Sequence, residues 1–166
     1  MAVNDLRNDA ADVEDSMEHI TPATLSDVPQ LVELLNLLFT QEADFTSDRE
    51  KQERGLRLII ESTHVGVVLA ARDGDQVIGM VSLLFTVSTA EGGPVCWLED
   101  MVVRPDRRGG GLGSRLLQIA IEYARSHGFA RITLLTDQLN AGAIRFYGRH
   151  GFIESEMTAL RLMTNS

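Results

Sequence analysis

Val103-Arg104-Pro105-Asp106-Arg107-Arg108-Gly109-Gly110-Gly111-Leu112-Gly113-Ser114 joins the end of an apolar, β-branched run to the start of a helical pattern. Three consecutive glycines and a fourth two places later leave the backbone N–H groups of the loop open to close approach. The helix that follows brings roughly half a positive charge to the same place, and Arg108 can add a charge-assisted contact. Converging N–H donors at a helix start are what a pyrophosphate needs.

Spacing separates this loop from other phosphate-binding loops. A Walker loop requires Gly-Lys followed by Ser or Thr, and the only lysine in the chain is Lys51, far from any glycine loop. A dinucleotide fingerprint beginning at Gly109 and Gly111 would need glycine where Ser114 stands, and would open a βαβ unit rather than follow several strands.

Outward from the loop, Val95 to Val103 reads as a strand that ends at Arg104 and Pro105. Leu112, Leu116, Ile119, Ala120 and Tyr123 mark a helix to His127, with Gly128 as its C-terminal stop. Upstream, Val65 to Arg72 and Gln76 to Ser88 are strands joined by the turn Asp73-Gly74-Asp75. Met17 to Pro22 reads as a first strand. Ser26 and Asp27 offer an N-cap to a helix carrying Val28, Leu31, Leu34, Leu35 and Leu38, and a second helix runs from about Asp48 to Ser62. Downstream, Arg131 to Thr136 is a strand, 141–150 a short helix, and 156–163 a final strand. This order predicts a mixed α/β (α+β) fold: a central mixed, largely antiparallel twisted sheet with helices on both faces. Residues 1–16 read as a flexible acidic arm and 17–166 as one domain.

Composition bounds the function. Hydrophobic residues at 44% and charged residues at 23% belong to an ordinary globular protein. The N-terminus lacks a secretory pattern and no apolar run is long enough to span a bilayer, so neither export nor membrane insertion is expected. The lone Cys96 forms no internal disulfide, and His19, His64, His127 and His150 lie far apart, so the expectation is a reducing, cytoplasmic setting without metal. A net charge of −9 argues against nucleic-acid binding and favours basic or amine-bearing partners. Arg104, Arg107, Arg108 and Arg115 reverse that sign locally around the glycine loop.

The pattern R-x-x-G-x-G/A, met by Arg108, Gly111 and Gly113 in the wider frame of Val103, Pro105, Gly109, Leu116 and Leu117, resembles the acetyl-coenzyme A signature of the GNAT superfamily of N-acetyltransferases. A second motif, NAGAIRFYGRHGF from Asn140 to Phe152, is similar to that family's C-terminal helix and following turn. The likeness spans residues 17 to 163 and is specific from about Trp97 to Phe152.

That resemblance implies acetyl-coenzyme A as cosubstrate. The pantetheine arm would pair with backbone of Met101, Val102 and Val103. Arg108, Gly109, Gly110, Gly111, Leu112, Gly113 and Ser114 would hold the pyrophosphate, and Asn140 and Tyr147 would contact the arm. An amine with a pKa near 10.4 is neutral at pH 7 in only about one molecule in 2,500, so a base must share a cost of roughly 4.6 kcal/mol. Glu99 and Asp100 are the carboxylates at hand, sent to opposite faces by strand alternation. Likeness to spermidine/spermine acetyltransferases in this segment selects Glu99, and the family resemblance makes Tyr147 the acid that protonates the departing thiolate. Cys96, without an activating histidine in sequence, reads as a small buried hydrophobe. Asn140 reads equally as an ordinary N-cap. Trp97, Phe39, Phe45 and Phe85 read as core, although Phe39 and Phe45 flank the region where the family builds its acceptor pocket. The acceptor implied is a small-molecule or peptide amine, with acidity pointing to a cation, and a homodimer is a family expectation. The rival reading is a non-catalytic acyl-coenzyme A-binding module.

Overall fold

A computed structural model describes residues 18–39 and 48–164. The expected acidic arm, Met17 and Phe45 lie outside the described residues.

Alternation and turn chemistry build the sheet. Strands β1 (His19–Pro22), β2 (Gly66–Asp73), β3 (Gln76–Ser88) and β4 (Gly93–Val103) are sequential antiparallel neighbours, and β5 (Ile132–Leu134) adds to β4 in parallel, giving the order β1-β2-β3-β4-β5. Along β2, Leu69 and Ala71 face one side while Val68 and Ala70 face the other. Two apolar layers result, one on each side of the sheet.

One layer is covered by helices α1 (Val28–Phe39) and α2 (Arg49–Glu61). Val28, Leu31, Leu35 and Leu56 pack there on Val68, Ala70, Met80 and Val102. The opposite layer is covered by α3 (Leu112–Ser126), whose Leu116, Leu117, Ala120 and Ala124 lie on Ile78, Val81, Leu83, Cys96 and Leu98. Helix α4 (Ala141–Arg149) has no buried residue, and adds the half-buried Phe146 and Tyr147 to the same layer. The expected mixed, mostly antiparallel sheet between helices is therefore present.

Three local expectations change. Helix α1 does not begin at a Ser26 or Asp27 cap, because a single 3₁₀ turn, Leu25–Asp27, precedes it with Thr24 at the cap position. Asp27 turns back to accept from the Thr24 N–H at 2.7 Å and from Arg72 Nη2 at 2.6 Å, so the carboxylate ties the turn to β2. Burial raises the Asp27 pKa, but the Arg72 guanidinium and the Thr24 donors outweigh burial and leave it below the ordinary 3.8.

The fifth strand is three residues long rather than six, and the final strand over 156–163 does not form. Residues 152–164 have no regular structure, and Met157, Leu160, Leu162 and Met163 are 76–93% exposed. Alternating apolar residues supply strand tendency but not a ladder partner, and a strand exists only with one.

Candidate functional site

The site grows from an irregularity in β4. Val81 pairs with Met101 and Leu83 with Leu98, so two residues of β4, Glu99 and Asp100, stand opposite the single residue Ser82. This is a β-bulge. Leu98 and Met101 both face the α3 layer, although alternation would send residues three apart to opposite faces. The expectation that Glu99 and Asp100 point to opposite faces is thus overturned. Glu99 is exposed next to the buried Leu98, and the Asp100 carboxylate reaches the Ser82 hydroxyl at 3.1 Å.

The bulge changes which backbone groups face which neighbour. Before it, Cys96 donates its N–H to Arg131 C=O, joining β4 to β5. Ladder pairing of β4 with β5 stops at Leu98–Leu134 while β4 runs on to Val103. After the bulge Arg104 donates to Ile78 C=O, so residues 102 and 104 bond toward β3 and the N–H and C=O groups of Met101 and Val103 point the other way, into the space β5 has left. Val102 is buried against the α1–α2 layer and is not brought to this gap.

The glycine loop closes the far end of the gap. Gly109 and Gly111 take φ of +86° and +83°, a region that a side chain rarely adopts, and Gly111 is the N-cap of α3 without any side-chain cap. The first intrahelical bond of α3 runs from Arg115 N–H to Gly111 C=O, so the N–H groups of Leu112, Gly113 and Ser114 have no intrahelical acceptor. Of the four arginines, Arg104 pairs with Asp106, Arg107 with Asp73 and Arg115 with Glu18. Arg108 has no carboxylate partner among the described residues; its Nε donates to Val103 C=O at 3.0 Å, which fixes the guanidinium beside the loop.

Helix α4 approaches from the α3 side. The Tyr147 hydroxyl lies 3.9 Å from Met101 Sδ, over the β4 edge, and the ring is held edge-on by Phe146 and Phe152. Phe146 also reaches the α3 start, where a Cβ on Gly113 would stand 3.8 Å from its ring. Asn140 caps α4, its Oδ1 accepting from Ala143 N–H at 3.0 Å, which realises the N-cap reading and leaves the side-chain NH₂ directed by that bond.

On the α1–α2 side of β4 stand Trp97 and Glu99. Trp97 lies between Cys96 and Leu98, both of which face the α3 layer, so its ring takes the other face. It is 37% exposed, which corrects the expectation that it belongs to the core. Phe39 and Phe85 do pack at the edges of the two layers. Cys96 is fully buried and burial pushes its thiol up to about 11, so it is no nucleophile at neutral pH. A shallow, open depression of about 500 Å³ between α3 and α4, lined by Ser114, Arg115, Gln118, Ile119, Glu122 and His150, borders the loop and contains neither Glu99 nor Tyr147. Sequence reasoning missed Ser82: a serine inside an apolar run gives no signal until the register sets it opposite two carboxylates.

A sheet that parts beside β4, with the Met101 and Val103 backbone turned along the gap and a glycine-capped helix start at its end, defines a protein of the acyl-transfer class. The family model described as the acetyltransferase (GNAT) family matches residues 28–152, and the chain belongs to that family. It is 33% identical over 120 residues to YhfO of Bacillus subtilis strain 168, an uncharacterized N-acetyltransferase, covering 70% of this chain and 80% of that one. It is 32% identical over 133 residues to the aminoalkylphosphonate N-acetyltransferase of Salmonella typhimurium, covering 80% and 83%. Among solved structures, a transcriptional regulator from Bacillus halodurans C-125 is similar with a TM-score of 0.75 and 27% identity, over 88% of this chain and 99% of that one.

Proposed function

We propose that the protein transfers the acetyl group of acetyl-coenzyme A to the primary amine of a small molecule or peptide, by direct attack. The observation that carries this reading is the bulge-directed turn of the Met101 and Val103 backbone groups into the gap beside β5, ending at the N–H groups of residues 112–114, which have no intrahelical acceptor. Strand backbone can pair with the amides of a pantetheine arm, and the helix start together with Arg108 suits a pyrophosphate. Gly110 fits the same picture, since neither its φ nor any neighbouring atom among the described residues requires a glycine there.

In this reading Glu99 accepts a proton from the ammonium, directly or through water. The freed nitrogen forms its bond to the thioester carbon, the carbon–sulfur bond breaks, the Tyr147 hydroxyl gives its proton to the departing sulfur, and the second proton that the nitrogen sheds in becoming an amide restores the Tyr147 hydroxyl, directly or through water. The net proton released stays on Glu99, and the second nitrogen proton replaces the one that Tyr147 gives to the sulfur. Trp97, Glu99 and Asp100 together offer an aromatic face and two carboxylates on one stretch of β4, which favours a cationic amine through charge and cation–π attraction. The name of the Salmonella relative supports a small amine as acceptor.

The test is a kinetic split. Glu99→Gln and Tyr147→Phe lower kcat by about 10²–10⁴-fold while acetyl-coenzyme A affinity, followed by calorimetry, changes less than about threefold. Equal loss of both quantities, or unchanged kcat, removes these roles. The likeness to a transcriptional regulator keeps one rival reading, a regulatory acyl-coenzyme A-binding module; it predicts binding without turnover for every acceptor. The reading also includes a cytoplasmic setting. No helix among the described residues is long and apolar enough to cross a membrane. The expected homodimer finds a candidate surface in the exposed Met157, Leu160, Leu162 and Met163. Light scattering tests it: a dimer that Leu160→Asp dissociates supports this surface, and a wild-type monomer removes it.

A further inference from the structure

We infer that Ser82 is a positioning residue for the coenzyme half of this site, acting through the bulge it pins; the inference rests on the proposed acetyl-coenzyme A reading. Ser82 is fully buried in the middle of β3, with apolar Val81 and Leu83 on either side. Its hydroxyl makes two bonds to one residue: Oγ donates to Asp100 Oδ2 at 3.1 Å and accepts from the Asp100 N–H at 3.1 Å.

The second bond explains why a hydroxyl is needed. A bulge removes one rung of the ladder and strands an N–H inside the sheet. A buried N–H without an acceptor is costly, and here the Ser82 side chain takes the place of the missing β3 carbonyl. The carboxylate bond fixes the other end of the same residue. Asp100 is therefore held at backbone and side chain by one atom of the neighbouring strand.

What the bulge controls is parity. With two residues opposite Ser82, Met101 and Val103 turn their backbone groups toward the gap and Arg104 bonds to Ile78. If the bulge closed, a one-residue slip would exchange the two sets, pointing Val102 into the gap and withdrawing Met101 and Val103. The Gly109 and Gly111 angles and the N–H groups at the α3 start do not depend on that register, and Arg108, tied to Val103 C=O, is the one phosphate-side group that would loosen with it. Ser82 thus serves the pantetheine-facing backbone directly and reaches the phosphate-facing loop only through the Arg108–Val103 bond.

This asymmetry gives a readout that general destabilisation does not reproduce. Affinities of coenzyme A and of adenosine 3′,5′-bisphosphate, which has the phosphate-bearing end without the pantetheine arm, are measured by calorimetry on wild type, Ser82→Ala and Ser82→Thr. The expected result is a loss of about tenfold for coenzyme A in Ser82→Ala, no more than about threefold for the bisphosphate, whose only register-dependent partner is Arg108, and recovery in Ser82→Thr. Should Ser82→Ala fail to fold, Ser82→Cys, close in volume and a weak hydrogen-bonding partner, supplies the same comparison. Equal weakening of both ligands, or of neither, overturns the inference while the proposed function stands. Wild-type protein that binds neither ligand overturns both.

Discussion

Gly109 and Gly111 are required by their own backbone angles, whereas Gly110 is not, and this distinction separates folding from binding within one loop. Gly111→Ala places a side chain at φ +83° and costs about 1–2 kcal/mol of strain, seen as a lower melting temperature together with weaker coenzyme A binding. Gly110→Ala meets no atom of the described residues, so it leaves the melting temperature within a degree or two and, on the proposed reading, still weakens coenzyme A, because the added methyl would stand where the ligand approaches. Unchanged affinity in Gly110→Ala would show that the loop backbone is not approached closely. Cys96 gives a second test at this scale. Its buried, high-pKa thiol should not react with Ellman's reagent in the native protein at pH 7 and should release one equivalent of colour on unfolding, while Cys96→Ala keeps its turnover. The glycine pattern was legible in sequence because φ > 0 selects residue type directly. Trp97 was not: residue type alone says aromatic core, and only the limited reach of the α1–α2 layer leaves the ring in solvent.

Among the elements, the start of α1 and the entry to β2 carry the clearest energetic expectations. Asp27 has a folded pKa below its ordinary 3.8, so its contribution is complete above that value and disappears as pH falls through the lower, folded one. Asp27→Asn should therefore cost roughly 2 kcal/mol at pH 7, and the difference from wild type should shrink below about pH 3.8. Denaturant titrations at pH 7 and pH 3 check this; an equal difference at both contradicts it. At Gly66 an added Cβ would stand 2.4 Å from Leu83 C=O, and backbone cannot move aside as a side chain does. Gly66→Ala should lose about 1–3 kcal/mol in the same titration, and a neutral result would mean that the β2–β3 pairing yields there. Periodicity announced the four α-helices and the four longer strands of the sheet. It misplaced the α1 cap because Asp27 is drawn back by Arg72, 45 residues away, and it announced a strand over 156–163 because pattern carries no information about partners.

For the molecule as a whole, legibility divides along β4. The proposed coenzyme side is written in short segments, 103–117 and 140–152, whose residue types answer to local backbone chemistry. The proposed acceptor side would draw on α1, α2 and one face of β4, elements far apart in the chain, and so depends on long-range packing that a linear reading does not reach. The bulge at Glu99 and Asp100 lies on the boundary. Its sequence was noticed for the carboxylates alone, yet its geometry also directs the backbone that follows.

The most direct measurement of the central claim is release of free coenzyme A thiol from acetyl-coenzyme A by the purified protein, over polyamines, amino acids, aminoalkylphosphonates, aminoglycosides and basic peptides. The account predicts release above the acceptor-free background for at least one small amine, strongest among the cations, with the acetylated amine appearing in equal amount. Tight acetyl-coenzyme A binding with no thiol released for any acceptor would contradict it and leave the regulatory binding module as the better reading.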